Sequence, residues 1–361
     1  MTRRAFLQVA GGLVLATLTE IRLPHPVARA ITRISWTERG IFPGSGTYTS
    51  PPFTTPNPFN SIEVSWKATV PPGASLALAV RASPDGQHWA DWIFLEPDPH
   101  CGARPDGRIY AAPVLLEPST ALQYRVQLEP GIDGSPVELE EVELGCVDTR
   151  GQELRFLAEV PLIDGWIIPR AGWGADESLR FDENGWEIWP PSYAPVEKII
   201  IHHTVTQNNP PDPAATVRAI YAYHAITQGW GDIGYNFLVD WQGNVYEGRY
   251  GGPNVVGAHT AGYNTGTVGI AVLGDFTSTV PPQPAIDSLT RLIRERAPQI
   301  DPGGISYFRD LVDIPNIGGH RDYNITECPG DHLYEVIPDI RGRLTGAGPI
   351  VFRSKPRPGL A

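Results

Sequence analysis

Two patterns of hydrophobic and polar positions divide the chain near residue 160. Over residues 31–160, apolar and polar residues alternate in short runs, as at 62–66, 76–81 and 122–128, and clusters rich in Pro, Gly, Ser and Asp separate the runs. A period of two places every second side chain on one face of a strand, and the clusters supply turns. The pattern predicts a β-rich domain of antiparallel strands, arranged as a β-sandwich.

Residues 161–345 alternate between strand and helix patterns. The continuous apolar run at 198–203 is typical of a buried strand. A helix is expected from Pro213, with Asp212 as its N-cap, to Gly229. Further strands are predicted at 235–240, 244–247 and 268–273, and further helices at 284–297 and 331–344. Strands that alternate with helices predict an α/β (α+β) domain, in which helices flank a mixed sheet. Residues 346–361 are predicted to be a disordered tail.

The first thirty residues have the pattern of an export signal rather than of a domain. Arg3 and Arg4 form a twin-arginine pair, an apolar stretch follows at 9–18, and small residues at 28–30 offer a cleavage site. We therefore expect export by the twin-arginine route, to the periplasm, the cell wall or the medium. The alternative is an uncleaved membrane anchor, although the apolar stretch is short for a helix that spans a bilayer.

The composition and net charge of the chain limit the kinds of molecule that it is expected to bind. Hydrophobic residues make up 41% of the chain and charged residues 19%, as expected of a globular protein. Loss of residues 1–30 removes four arginines and one glutamate, and the formal charge moves from −12 to −15. Nucleic acid is thereby excluded as a partner, because a protein with this net charge repels a polyanion. We expect a monomer.

Three cysteines cannot all pair within one chain, so at least one has another role. Cys101 and Cys146 both lie in the first half and would be able to form a disulfide after export. Two unpaired thiols are an equally good interpretation, because twin-arginine export carries proteins that are already folded.

Cys328 and two histidines, His202 and His320, form a candidate metal site. Two imidazoles and one thiolate suit zinc, and three protein ligands leave a fourth position for water or substrate, as in catalytic zinc sites. Spacing alone is weak support, since a lone buried histidine or cysteine is usually part of a core. It also does not choose between His202 and His203, of which only one can readily be a ligand because strand neighbours face opposite sides.

Eight motifs, in order, surround these residues. They are Arg-Ala-Gly-Trp-Gly-Ala at 170–175, Ile-His-His-Thr at 201–204, Asp-Ile-Gly-Tyr-Asn-Phe at 232–237, Asn-Val-Tyr-Glu-Gly-Arg at 244–249, Gly-Ala-His at 257–259, Gly-Tyr-Asn at 262–264, Gly-His-Arg at 319–321 and Thr-Glu-Cys-Pro-Gly-Asp at 326–331. The set resembles the peptidoglycan recognition proteins and their relatives, the type 2 N-acetylmuramoyl-L-alanine amidases, which include phage amidase lysozymes. The resemblance covers residues 165–343 and leaves the first domain outside.

The resemblance implies a zinc enzyme that cuts the amide bond between N-acetylmuramic acid and L-alanine in peptidoglycan. It implies that Zn²⁺ is held by three residues, which are His202, His320 and Cys328. Tyr235 matches the family's catalytic tyrosine, suited to donate a hydrogen bond to the attacking water or the oxyanion. The alternative for Tyr235 is a packed strand residue. Thr326 matches a catalytic position where relatives carry Lys or Thr, and His203 is expected to line the groove or to pack beneath it.

The resemblance also implies the residues that contact substrate. Gly229, Trp230 and Arg249 match the members that act on peptidoglycan with meso-diaminopimelate, and Arg249 would pair with its extra carboxylate. His259 and Asn264 are further expected substrate contacts. The alternative is that Gly229 only caps the helix before it and that Arg249 is a solvated charge.

Two other functions compete with the enzyme. Some members of the family bind peptidoglycan without cutting it, having lost a zinc ligand, and others are immune or signalling receptors. The complete ligand set and Tyr235 favour the enzyme, and the export signal favours a role in wall remodelling, recycling or attack on competitors. Trp89 and Trp92 of the first domain lie either in its core or on a carbohydrate-binding face.

Overall fold

The computed structural model describes residues 4–9, 12–19, 33–40, 42–98, 106–150 and 161–351, with only the backbone described at 4–9 and 12–19. The predicted cleavage site at 28–30, Cys101 and residues 352–361 of the predicted tail lie outside the described residues. Within the described part, no helix is both long enough and apolar enough to cross a membrane.

The chain divides into two compact units, and each unit is made of three separate segments of the sequence. The first unit contains Met1–Glu159, Trp173–Trp189 and Ala214–Asp232. The second contains Val160–Gly172, Pro190–Pro213 and Ile233–Ala361. Both units therefore draw on the part of the chain after residue 160.

The first unit is built on antiparallel strands, which confirms the prediction of a β-rich region. The strands are β1 (Arg4–Val9), β2 (Gly12–Thr19), β3 (Arg33–Arg39), β4 (Gly46–Thr49), β5 (Phe53–Thr69), β6 (Ser75–Ser83), β7 (Ile93–Leu95), β8 (Arg108–Tyr110), β9 (Val114–Glu129) and β10 (Glu138–Val147). Their main order is β1-β2-β3-β10-β5-β9-β6-β7, and β4 and β8 pair with β9 and β5. Alternate side chains of these strands fill one core, as at Ile62, Val64 and Trp66 of β5.

Trp89 and Trp92 do not belong to this core. The guanidinium of Arg81 lies 4.9 Å from the ring centroid of Trp89 and 4.5 Å from that of Trp92, and the Arg125 guanidinium lies 4.1 Å from Trp92. Both indoles are half-buried at the surface of the sheet. Cation–π contacts of this kind stabilise the edge of the sheet near β7.

The second unit contains a six-stranded mixed sheet, as the alternating pattern predicts. Its strands are β11 (Ile167–Ile168), β12 (Lys198–His203), β13 (Phe237–Val239), β14 (Val245–Glu247), β15 (Thr267–Val272) and β18 (Ile317–Gly319), in the order β11-β14-β13-β15-β12-β18. β12 is parallel to both of its neighbours, β15 and β18. Every residue of β12 and β15 is buried, which explains their continuous apolar runs.

Two long helices pack on this sheet and share its core. They are α3 (Gln283–Arg296) and α4 (Asp331–Thr345), at the positions predicted from helical spacing. Leu289 of α3 and Ile337 of α4 lie in the same apolar cluster as Ile201 and Ile270 of the sheet. A short helix, α1 (Arg170–Trp173), precedes β12.

The helix predicted at 213–229 begins at Pro213 but changes geometry before it ends. α2 covers Pro213–Ala222, and a π-helical turn at Tyr223–Thr227 follows. The Tyr223 hydroxyl donates to Asp98 Oδ2 at 3.0 Å within the first unit, and Thr227 donates to Glu63. Gly229 has a φ of +71°, the left-handed conformation expected of a residue that ends a helix.

Among the described residues, two hairpins are not predicted by the sequence pattern: β1 with β2, in the segment that has the pattern of an export signal, and a second hairpin after α3. β16 (Ile305–Phe308) and β17 (Leu311–Pro315) pair in an antiparallel ladder. Ile305, Ser306 and Tyr307 are all exposed, so no alternation of buried and exposed positions marks β16 as a strand.

Candidate metal centre

The structure brings together the three residues predicted to bind metal. His202, His320 and Cys328 are all buried, and their potential ligand atoms lie within 4.8 Å of one another. His202 Nδ1 lies 3.6 Å from Cys328 Sγ. The cluster joins residues that are up to 126 positions apart in the sequence.

Two parallel strands explain how the histidines meet. His202 lies near the carboxyl end of β12, and His320 follows directly after β18, its parallel neighbour. Parallel neighbours end at the same edge of a sheet, so side chains that follow them are placed side by side. The ring centroids of His202 and His320 are 4.7 Å apart.

A short loop brings Cys328 back to this edge. The backbone N–H of Arg321 donates to the carbonyl of Cys328 at 3.0 Å, which closes the loop between the second and third ligands. The next glycine, Gly330, has a φ of +85°, and a Cβ added there would lie 2.4 Å from the carbonyl carbon of Phe276. Only glycine therefore fits between this loop and the start of α4.

The geometry of the cluster fits zinc. Zn–S and Zn–N bonds of about 2.3 Å and 2.0–2.1 Å, at a tetrahedral angle, place a sulfur and a nitrogen ligand about 3.6 Å apart. His202 Nδ1 and Cys328 Sγ have this separation, 3.6 Å. Two imidazoles and one thiolate are also a donor set that zinc prefers. The residues present are therefore able to hold a zinc ion with one position left for a further ligand.

The structure separates His202 from its neighbour His203. His203 Nδ1 accepts a hydrogen bond from the backbone N–H of Phe276 at 3.4 Å and lies 3.6 Å from Asp275 Oδ1. The side chain is buried, and it is not part of the ligand cluster. Its contacts place it against the segment that follows β15.

Both predicted catalytic residues lie close to the ligands. The ring of Tyr235 is 5.5 Å from that of His202, between centroids, at an angle of 54°. Thr326 Oγ1 accepts the backbone N–H of Cys328 at 3.1 Å, so the hydroxyl oxygen helps to hold the ligand loop. Both side chains are buried.

The two other residues of the predicted groove, His259 and Asn264, lie in one turn. Asn264 Oδ1 accepts the backbone N–H groups of His259 and Thr260, both at 2.8 Å. His259 is only 2% exposed, and its Nδ1 lies 3.1 Å from His202 Nε2. The structure thus places His259 against a metal ligand, and Asn264 holds the turn that carries it.

The residues predicted to select the substrate have different environments. Apart from its chain neighbours, no described residue has an atom within 4 Å of a Cβ added to Gly229, so space is open around this glycine. Trp230 is half-buried, and its ring lies 4.8 Å from that of His224. Arg249 is only 1% exposed. A substrate carboxylate therefore reaches the Arg249 guanidinium only if neighbouring side chains move.

Two supporting residues were not identified from the sequence. Asn324 Oδ1 lies 3.1 Å from His320 Nε2, and Asp322 Oδ2 accepts the backbone N–H of Gly319 at 2.8 Å. Tyr334 of α4 donates to the other oxygen of Asp322. The available signal was the spacing of Asn324, four residues after a predicted ligand in a tight loop.

Comparison with known proteins shows that this region is similar to N-acetylmuramoyl-L-alanine amidases and to peptidoglycan-recognition proteins. Residues 192–331 match the sequence profile of Amidase_2, described as N-acetylmuramoyl-L-alanine amidase. A human N-acetylmuramoyl-L-alanine amidase is 37% identical over 147 residues, 40% of this chain and 24% of the relative. Peptidoglycan-recognition protein LE of Drosophila melanogaster is 36% identical over 202 residues, 55% of this chain and 52% of the relative. The chain thus spans about half or less of these two relatives.

A shorter relative is matched over most of its length. Peptidoglycan-recognition protein SC1a/b of Drosophila simulans is 34% identical over 182 residues, which are 49% of this chain and 85% of the relative. Among solved structures, wild-type Drosophila PGRP-LB is 31% identical, covering 47% of this chain and 91% of its own, with a TM-score of 0.38. The amidase LysC from Clostridium intestinale is 30% identical, covering 43% and 90%, with a TM-score of 0.33.

Proposed function

We propose that this chain, which belongs to the family of peptidoglycan recognition proteins and N-acetylmuramoyl-L-alanine amidases, is a zinc-dependent amidase of peptidoglycan. The bond cut is the amide between N-acetylmuramic acid and the L-alanine of the stem peptide. The family contains both enzymes and proteins that only recognise peptidoglycan, so membership alone does not distinguish the two activities.

The observation that carries the enzymatic proposal is the complete ligand cluster. His202, His320 and Cys328 are all present, buried and within 4.8 Å of one another. A protein that only recognises peptidoglycan has no need to hold two imidazoles and a thiol together in its interior. Burial of three such groups is instead explained by a bound cation, which offsets the cost of removing them from water.

The chemistry divides between the metal and the side chains around it. Zinc held by His202, His320 and Cys328 would supply Lewis acidity, able to activate a water molecule and to polarise the scissile carbonyl. Tyr235 donates a hydrogen bond to the oxygen on which negative charge develops, and its burial makes this donor more effective than one in water. Thr326 orients the Cys328 loop through the bond that its oxygen accepts, and its neutral hydroxyl offers a weaker interaction to the substrate than a lysine would.

Digestion of purified peptidoglycan tests the proposal. We expect the zinc-loaded protein to release stem peptides with a free N-terminal L-alanine, identified by mass spectrometry, and to leave glycan strands with free lactyl carboxyl groups. Cys328→Ser should lose most of the metal and the activity, because a hydroxyl is a poor substitute for a thiolate ligand. Binding without release of peptides, by a protein that neither holds zinc nor is activated by it, would show a recognition protein instead.

The preferred substrate in this proposal is peptidoglycan with meso-diaminopimelate in its stems. This acid differs from lysine by one carboxylate on the side chain. Gly229 has open space around it, Trp230 offers a half-buried ring beside it in the sequence, and Arg249 is a cation able to pair with the carboxylate once it is exposed. Charge-assisted, bidentate hydrogen bonds between arginine and a carboxylate are stronger than neutral hydrogen bonds, so Arg249 would contribute most of the selectivity.

Side-by-side digestion of diaminopimelate-type and lysine-type walls checks this preference. We expect the wild type to favour the first substrate, and Arg249→Ala to reduce the ratio of the two rates by about 10- to 100-fold, as for the loss of a charged hydrogen bond. Arg309→Ala is the matched control, since Arg309 carries the same charge at the surface of the same unit. Equal rates for the wild type, or a preference for lysine-type walls, would show that Gly229, Trp230 and Arg249 do not select diaminopimelate.

Export by the twin-arginine route completes the proposal. Peptidoglycan lies outside the cytoplasm, and Arg3 and Arg4 precede an apolar stretch at 9–18. Replacement of both arginines by lysine should retain the protein in the cytoplasm, as checked by fractionation and immunoblotting. Export of the double variant at the wild-type level would exclude this route.

A further inference from the structure

His259 occupies a slot that the fold keeps open next to the metal ligands. The ring lies against β15 at Gly269, where an added Cβ would come within 2.2 Å of His259 Cγ. The backbone of Gly269 is not in the left-handed region. This glycine is therefore required for space rather than for conformation, and the space that it leaves is filled by one imidazole ring.

The contacts of Thr267 favour the tautomer of His259 that carries its proton on Nε2, because two carbonyl oxygens lie closer to the Thr267 hydroxyl than this nitrogen does. Thr267 Oγ1 lies 2.9 Å from the carbonyl oxygens of both Tyr263 and Asn264, and 3.3 Å from His259 Nε2. A carbonyl oxygen only accepts, so the single hydroxyl proton of Thr267 is directed to one of these two oxygens. The hydroxyl oxygen then accepts the N–H of His259 Nε2.

With the proton on Nε2, Nδ1 of a neutral His259 is an acceptor. Thr260 Oγ1 lies 3.0 Å and His202 Nε2 lies 3.1 Å from this atom, and both are able to donate a hydrogen bond to it. A neutral His202 protonated at Nε2 has its lone pair on Nδ1, the atom that lies 3.6 Å from Cys328 Sγ.

We propose that His259 is a positioning residue, which holds His202 in the tautomer whose Nδ1 is available to the metal. The order of bonds runs from the carbonyls of Tyr263 and Asn264 through Thr267 and His259 to His202. Partners of this kind orient ligating imidazoles in zinc sites in general. The role differs from the substrate contact expected from the family, and it rests on the proposed function only in that the bound metal is zinc.

Zinc affinity measures the role without any need for turnover. In a competition assay with a chromophoric chelator at one pH, we expect His259→Leu to raise the Kd for zinc by about 10- to 100-fold, the usual cost of losing a partner of a metal ligand. His259→Gln should lose less, because its amide oxygen is still able to accept the His202 N–H. Gly269→Ala should resemble His259→Leu, since the added methyl group displaces the ring.

Two threonines provide matched variants. Thr267→Val removes the hydroxyl that fixes the His259 tautomer, and it should weaken zinc binding although both histidines remain. Thr260→Val removes a different hydroxyl near the same imidazole, the one that competes with His202 Nε2 for the lone pair of His259 Nδ1. This variant should leave the zinc Kd within about threefold of the wild-type value. Thr260 and Thr267 are both buried, so the two Thr→Val substitutions should lower the free energy of unfolding for the same general reason, the loss of a buried hydroxyl group.

The tautomer itself is visible by NMR. In metal-free protein labelled with ¹⁵N-histidine, and with His202 assigned by its loss in His202→Asn, long-range ¹H–¹⁵N spectra should show His202 protonated at Nε2 in the wild type and a mixture of tautomers in Thr267→Val. Protonation of wild-type His202 at Nδ1, or an unchanged zinc Kd in Thr267→Val, would overturn the role of His259. A wild type that binds no zinc would instead overturn the proposed function. The tests of the His259 role and of the proposed function do not depend on whether His259→Leu folds.

Discussion

At the scale of single residues, the local direction of a side chain decides its role at the metal centre. His202 and His203 are chemically identical neighbours on β12, and both are buried. Successive side chains of a strand point to opposite faces. His202 therefore meets His320 and Cys328, whereas His203 bonds to the backbone of Phe276.

Tyr235 should affect the rate of hydrolysis and not the metal. The ring of Tyr235 lies 5.5 Å from that of His202, between centroids, and tyrosine is not among the usual protein ligands of zinc. Tyr235→Phe should therefore keep a full complement of zinc and lower kcat by about 10²–10³-fold, as for the loss of one donor to an oxyanion. Metal analysis and steady-state digestion of soluble muropeptides measure the two effects separately.

Tyr246→Phe is the control for this substitution. The hydroxyl of Tyr246 is also buried, but it donates to Oδ2 of Asp240, the residue after β13, at 2.8 Å. Loss of that bond should cost stability of about 1 kcal/mol and leave kcat unchanged. An undiminished kcat in Tyr235→Phe would remove Tyr235 from the mechanism.

At the scale of elements, a buried lysine holds the hairpin of β16 and β17 against the central sheet. Lys198 begins β12, and its Nζ donates to Ser306 Oγ of β16 at 2.6 Å, to the carbonyl of Ile314 of β17 at 2.9 Å and to Asn316 Oδ1 at 2.7 Å. Burial removes the ammonium from water and lowers the pKa of Lys198 from 10.5 to about 8. Three acceptors arranged around one cation fix β16 and β17 against β12.

This lysine predicts how stability depends on pH. Between pH 8 and 10.5 the unfolded chain binds the Lys198 proton and the folded chain releases it, so the contribution of Lys198 to the free energy of unfolding rises with pH across this window. The free energy of unfolding of the wild type minus that of Lys198→Met should therefore rise by about 1–3 kcal/mol from pH 8 to pH 10. Urea denaturation at intervals of half a pH unit measures it.

Lys67→Met is the matched comparison, because Lys67 lies on the first unit with 29% of its side chain exposed. It shows how the loss of a partly exposed lysine changes the free energy of unfolding over the same range. A flat difference for Lys198→Met would show that the Lys198 ammonium is not destabilised by burial.

At the scale of the whole molecule, the chain after residue 160 contributes to both compact units. The first unit includes Ala214–Asp232, the segment that contains most of α2 together with Gly229 and Trp230. Arg218 of α2 is buried, and it donates to the carbonyls of Thr149 and, at 2.7 Å, of Trp173. One side chain therefore joins three stretches of the first unit that are far apart in sequence.

Arg218→Met should destabilise the first unit. The substitution leaves two buried carbonyls without their donor, and the expected loss in the free energy of unfolding is about 2–4 kcal/mol. Arg150→Met is the control, because Arg150 pairs with Asp148 at the surface and such pairs contribute about 1 kcal/mol at most. Urea denaturation followed by tryptophan fluorescence compares them.

The zinc content of folded Arg218→Met should equal that of the wild type, since all three ligands belong to the second unit. A loss of stability no larger than that of Arg150→Met would mean that the Arg218 bonds do not hold the first unit together.

The sequence alone determined the elements in which one face packs in an apolar core and the other face carries polar side chains. β5, β6 and β9 follow from the alternation of apolar and polar residues, although polar Glu63 and Ser65 of β5 are buried as well, and α3 and α4 follow from helical spacing, because an apolar face imposes a period that is visible locally. β16 was missed because three of its four residues are exposed and no such period exists. The ligand set was also available from the sequence, since its residue types suit zinc and its neighbours carry family motifs.

Only the tertiary structure decided how these residues act on one another. Alternation leaves His202 and His203 equivalent until the loop with Cys328, 126 positions away, is seen on one side of β12. The sequence suggested a substrate contact for His259, and packing against Gly269 placed it behind His202, 57 positions away. A repeating pattern records which face of an element is buried, but it carries no record of which distant side chain lies there. That choice depends on strand order and on the space left by neighbouring side chains.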